Sequence, residues 1–130
     1  MPSPDGKATH TRQQIKIIAM QLVDIGANLT HQSFEADFDD VVCAARAANI
    51  AHIILTGTDL QSSHQACQLS DNCAGFFSST AGVHPHVAAN CSDQQFAEIG
   101  ELARKTQVVA IGETGLDFNR LYSPANDQLI

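Results

Sequence analysis

Four short apolar runs recur along the chain, each followed by a polar turn and then a stretch with helical spacing. Leu22-Val23-Asp24-Ile25-Gly26 ends in glycine, and Ile50 to Leu55 (IAHIIL) closes on Thr56-Gly57-Thr58. Phe76 to Gly82 (FFSSTAG) runs into His84-Pro85-His86, and Val108 to Ile111 (VVAI) meets Gly112-Glu113. Apolar runs of this length between turn residues predict buried strands.

Helices are predicted between them. DFDDVVCAARAA, from about Asp37 to Ala48, carries acids in its first turn, where the positive end of a helix dipole favours them. Asp59 predicts a cap for LQSSHQACQLS, a helix ending near Asn72. Ser92 opens SDQQFAEIGELARK, with Phe96, Ile99 and Leu102-Ala103 on one face and Arg104-Lys105 in the last turn. Ser123-Pro124 reads as an N-cap followed by proline at the first helical position.

Strand and helix therefore alternate four times. Every connection is long enough for a right-handed crossover between parallel strands. Continuous apolar strands imply a parallel sheet covered on both faces or rolled into a barrel. The pattern alone does not separate a doubly wound sheet from part of a (β/α)8 barrel. Stopping just inside a helix start suggests half of a larger fold. Residues 1–20 have no place in the repeat; Pro2, Pro4 and Gly6 suggest a flexible lead, and Met20 stands where a folded unit would begin.

Composition narrows the partners. The 130 residues carry 7 Lys and Arg against 14 Asp and Glu, a net charge of -7. A protein that coats itself with phosphate needs the opposite balance. Contact with nucleic acid is then expected in a small site, through a metal ion. Aromatics are 5% of the chain, with no Trp and one Tyr, which argues against a stacking platform for single strands. No run approaches the roughly 18 apolar residues of a membrane span. The first twenty residues lack the apolar core of a secretory leader. Cys43, Cys67, Cys73 and Cys91 include no C-x-x-C pair and read as reduced thiols of a cytoplasmic protein.

In parallel α/β proteins chemistry gathers at the carboxyl ends of the strands. Those ends carry Asp24 and Asn28, then Thr56, Thr58 and Asp59, then His84 and His86, then Glu113 and Asp117. Imidazoles and carboxylates on one rim suit hard divalent cations and hydrolysis. Glu113 is the strongest candidate, because a carboxylate after four apolar residues and a glycine is costly to bury unless paired or metal-bound. His52, inside a strand, and His64, inside a helix, read as structural or surface residues. No serine sits in a G-x-S-x-G elbow, and Gly112-Glu113-Thr114-Gly115 matches no phosphate or dinucleotide loop.

Together DIGANLT (Asp24 to Thr30), ILTGTDL (Ile54 to Leu60), STAGVHPH (Ser79 to His86) and VVAIGETGLDFNR (Val108 to Arg120) resemble the TatD family of metal-dependent deoxyribonucleases. The resemblance runs from about Leu22 to the last residue. It implies an α/β fold, the N-terminal half of a (β/α)8 TIM barrel of the metal-dependent hydrolase type, built from about four βα units on a parallel sheet. It divides the chain into a flexible extension, 1–20, and a truncated TatD-like hydrolase domain, 21–130. It implies hydrolysis of DNA phosphodiesters, as a 3′–5′ exonuclease on single strands, with magnesium or, alternatively, manganese or zinc.

Carried over by position, Glu113 is the catalytic, metal-binding glutamate. Asp24 and Asn28 are weaker metal candidates, since Gly26 and Asn28 stand where many relatives carry metal-binding histidines. His84 and His86 fall on the substrate-binding segment, and Asp117 and Arg120 lie in the following loop as weaker substrate contacts. The family's remaining ligands come from later strands, and a whole barrel needs about 250 residues. Two other readings stand beside this one. The chain is a catalytically inactive module that self-associates through an open half-barrel, or it belongs to a related barrel hydrolase acting on a small phosphoester or a cyclic amide.

Overall fold

The computed structural model describes residues 20–129; the expected N-terminal extension lies almost wholly outside them. Four strands form one sheet in the order β1-β2-β3-β4: Leu22–Ala27, Ile50–Leu55, Phe77–Ala81 and Val108–Ile111. All three pairings are parallel. The sequential order settles what the sequence pattern left open. A doubly wound sheet reverses direction from its first strand, whereas this sheet advances one strand at a time, as a barrel wall does.

Three helices make the crossovers: α1 (Phe38–Ala47), α2 (Leu60–Asn72) and α3 (Asp93–Leu102). Their starts follow from short polar side chains. The Asp59 carboxylate accepts the Ser62 amide proton at the head of α2, and the Ser92 hydroxyl accepts that of Gln95 at the head of α3. Both are reciprocal capping boxes, with Ser62 and Gln95 reaching back to the cap. At α1, Asp37 makes no side-chain cap bond, and Asp39 and Asp40 occupy the first turn.

The helices cover one face of the sheet. Ile53, Leu55, Phe76, Phe77, Ala66 and Leu29 form one apolar cluster, and Cys67, Ala81, Ile99, Leu102 and Val108 a second. Small residues let α2 lie close to the sheet: Ser63, Ala66, Cys67 and Ser70 are all buried. Leu55 is fully buried, and truncating such a leucine to alanine costs about 2–5 kcal/mol. His52 behaves as a structural residue, its Nε2 lying 2.7 Å from the Ser78 hydroxyl across β2 and β3.

Some expectations need correction. Coverage is one-sided, so Ile25 (79% exposed), Val109 and Ile111 remain open to solvent. α3 stops at Leu102, leaving Arg104 and Lys105 beyond its end, and Phe96 lies outside the core that Ile99 and Leu102 join. Ser123 is not a helix cap. Its hydroxyl accepts the Ala89 amide proton, and Pro124 instead precedes a short 3-10 turn, Ala125–Gln128.

Candidate active site at the strand carboxyl ends

The exits of β2, β3 and β4 are tied together by backbone bonds. The Glu113 amide donates to the Gly57 carbonyl at 2.6 Å, and the His84 amide donates to the Thr58 carbonyl at 2.8 Å. Glu113 thus reaches across the end of β3 to the end of β2. Gly82 makes the crossing possible: a β-carbon there would lie 2.7 Å from the Glu113 carbonyl oxygen and 2.8 Å from that of Gly112. Gly57 is equally constrained, since its own β-carbon would meet the Thr80 carbonyl oxygen at 2.6 Å. Both glycines are required by the close approach of neighbouring backbone.

Side chains then form a chain of contacts. The Glu113 carboxylate, half exposed, stands 3.3 Å from His84 Nε2. His84 Nδ1 accepts the His86 amide proton, so in the neutral ring the proton sits on Nε2 and faces Glu113. The two imidazoles meet edge to face at 4.3 Å. His86 Nε2 lies 2.6 Å from Asp117 Oδ2 and donates to it, which fixes the same tautomer. Pro85 sits between the histidines at the start of a 3-10 turn, Pro85–Asn90, and its rigid backbone sets their separation.

Asp117 is the most restrained carboxylate. Its Oδ1 accepts the amide protons of Asn119 and Arg120. The His86 bond first, then the Arg120 and Asn119 amides, hold the carboxyl down to about 2, against a smaller upward effect of desolvation. Gln128 supports it from behind, accepting the Asp117 amide proton at 2.7 Å and donating to the carbonyls of Asp117 and Ser123. The Arg120 guanidinium stays exposed, its Nε 3.9 Å from Asp117. Tyr122 lies edge to face against His86 at 4.7 Å.

The structure therefore brings together Glu113, His84, His86, Asp117 and Arg120. Contrary to the expected placement at the strand end, Asp24 lies within β1, paired beside Ile53, while Asn28 directly follows the strand and shares a surface pocket with Thr58 and Asp59. Among the described residues, exposed Asp24 accepts only the Gly26 amide proton, and Asn28 accepts from the Thr30 hydroxyl at 3.4 Å. Among the described residues no group of three or more His, Cys, Asp or Glu is arranged to hold a metal ion. Glu113 fits as one ligand; the donors shown do not complete a site. Gln128, Ser123 and Tyr122 escaped sequence reasoning. A glutamine or serine acting through backbone bonds leaves no motif, and only the short Pro124 turn hinted that this segment folds back.

A family model described as TatD related DNase matches residues 23–129. The chain belongs to the TatD-related DNase family. Its relatives include the "3'-5' ssDNA/RNA exonuclease TatD" of Cronobacter sakazakii, 45% identical over 107 residues. The protein of the same description from Klebsiella pneumoniae is 49% identical over 107 residues. Each alignment covers 82% of this chain and 40% of the relative, so this TatD-family chain spans about two-fifths of their length. A crystal structure of a TatD family hydrolase from Entamoeba histolytica superposes with a TM-score of 0.72 at 32% identity, covering 85% of this chain and 43% of that one. The N-terminal half-barrel reading of the fold agrees with that match.

Proposed function

We propose that the protein acts as a nuclease of the hydrolase class, cleaving phosphodiester bonds and releasing nucleotides from the 3′ end of single-stranded DNA. The observation that carries this reading is the array at the β3 and β4 exits. There one open carboxylate, Glu113, adjoins His84, and His86 packs edge to face against His84 with its Nε2 proton held by Asp117. The descriptions of the TatD relatives as single-strand exonucleases support the substrate class.

The cofactor is a divalent cation, magnesium first, with manganese or zinc as substitutes. When bound, such an ion polarises the phosphate and activates water. Glu113 offers it one carboxylate oxygen. The protein's own groups do the rest of the positioning. His84 Nε2–H, beside Glu113, is placed to donate to a phosphate oxygen. Asp117 accepts the His86 Nε2 proton and so fixes that ring beside His84, and Arg120 extends a second, permanently charged donor over the same rim. No helix among the described residues is long and apolar enough to cross a membrane. A cytoplasmic location is part of the proposal and rests on the four cysteines, which include no C-x-x-C pair.

The test uses single-stranded DNA labelled at either end, with magnesium or with EDTA. Stepwise shortening from the 3′ end, abolished by EDTA, is the expected result. No shortening, or turnover confined to small phosphoesters or cyclic amides, would contradict the proposal. A second reading is favoured by the open apolar residues of β1 and β4, Ile25, Val109 and Ile111. It is an inactive module that self-associates through this face. Sedimentation of the assayed sample distinguishes it, because that reading requires an oligomer with no turnover.

A further inference from the structure

Phosphate affinity at this rim has few sources. Among the described residues the Lys and Arg positions are Arg46, Arg104, Lys105 and Arg120. Arg46 ends α1, leading into the amino end of β2, and its guanidinium lies over the Phe76 ring at 3.7 Å. Arg104 and Lys105 lie between α3 and the amino end of β4. Arg120 alone among them stands at the carboxyl end, where Glu113, Asp117 and Asp59 add negative charge. A strand held there by charge alone would be held weakly, because each neutralised phosphate needs its own cation. Contacts to the bases would add affinity that one exposed cation does not supply.

The same loop carries a surface suited to them. Tyr122 is 70% exposed with its ring edge to face against His86, and Phe118 and Leu121, in the same loop, are about half exposed. Leu121, at φ 51°, is in the left-handed region and turns the chain between Arg120 and Tyr122. We propose that Tyr122 is a base-stacking subsite for single-stranded nucleic acid, with Arg120 taking the adjoining phosphate. This inference rests on the nuclease reading and adds to it how a net-acidic protein grips its strand. It also reverses what the low aromatic content suggested, since one exposed ring beside the imidazoles is enough to stack one base.

The chain has one Tyr and no Trp, so its tyrosine emission reports on Tyr122 alone. The probe is an eight-nucleotide thymidine strand with phosphorothioate linkages at its 3′ end, in magnesium. An abasic strand of equal length carries the same phosphates, and free N-acetyltyrosinamide corrects for absorbed light. The thymidine strand should quench the emission to saturation, while the abasic strand should leave it unchanged and bind about tenfold more weakly. On cleavable DNA, Tyr122→Ala should raise KM about tenfold with kcat within twofold, and Tyr122→Phe should restore KM. Equal quenching by both strands, or an unchanged KM in Tyr122→Ala, would overturn the stacking subsite while leaving the nuclease reading in place. Emission that changes with protein concentration and ignores the strand would overturn it in favour of a second copy covering the ring. Wild-type protein that neither binds nor cleaves would remove both readings.

Discussion

At the β3 and β4 exits, side chains more than 25 residues apart in sequence hold one another: His84 faces Glu113, and His86 bonds Asp117. In β1 and just after it, Asp24 and Asn28 bond, among the described residues, only two residues ahead. Both ends carry carboxylate or amide groups on the same rim. The difference lies in the backbone beneath them. Gly57 and Thr58 fasten the Glu113 and His84 segments to the end of β2 across Gly82, whereas the β1 exit is tied to β2 by the Thr56 amide bond to the Ala27 carbonyl, just short of Asn28. Preorganisation of this kind gives electrostatic catalysis its strength, since groups already in place cost nothing to reorganise during the reaction.

Adding one methyl group at each end would sharpen this contrast most. Gly82→Ala drives a β-carbon into the Gly112–Glu113 peptide and should destabilise the fold by about 1–3 kcal/mol, as overpacked sites do. Gly26→Ala meets nothing closer than the Thr56 hydroxyl at 3.7 Å and should stay within about 0.5 kcal/mol of wild type. Urea unfolding of both variants checks the pair. Equal costs would mean that the two exits are built alike.

A smaller effect is expected one step further from Glu113. Asp117→Asn keeps the shape but removes the charge that holds His86, and turnover of single-stranded DNA should fall about tenfold. The same variant carries a pH signature. The Asp117 carboxyl is held below its ordinary value of 3.8, at about 2, in the folded protein. The unfolded chain therefore binds more protons between these values. The stabilisation is complete above the ordinary value and is lost as pH falls toward 2. Acid unfolding of wild type should steepen in that window, and Asp117→Asn should flatten it. An identical acid profile in both proteins would show that the His86 bond does not depress this carboxyl.

Much of the fold was legible because its signals are local. The IAHIIL and VVAI runs mark β2 and β4 to the residue, and Asp59 and Ser92 cap their helices as their chemistry requires. Strand order was not legible, because parallel pairing joins residues with no sequence relation. Glu113, His84 and His86 stood out as polar residues at the ends of apolar runs. Their pairing did not, nor did Gln128 and Ser123, whose work is done through backbone groups that any residue presents. The end of α3 was misjudged because Arg104 and Lys105 suit a helix terminus by charge, while the chain had already turned at Ala103.

Under the proposed function, the chemistry belongs to the β3 and β4 end of the rim. Turnover of 3′-labelled single-stranded DNA by Glu113→Ala and by Asn28→Ala, measured side by side in magnesium, tests it most directly. A loss on the order of a hundredfold or more is expected for Glu113→Ala. Activity within about threefold of wild type is expected for Asn28→Ala, whose side chain bonds the Thr30 hydroxyl and none of the β3 and β4 exit residues. Equal losses in the two variants, or a larger loss at Asn28, would contradict it.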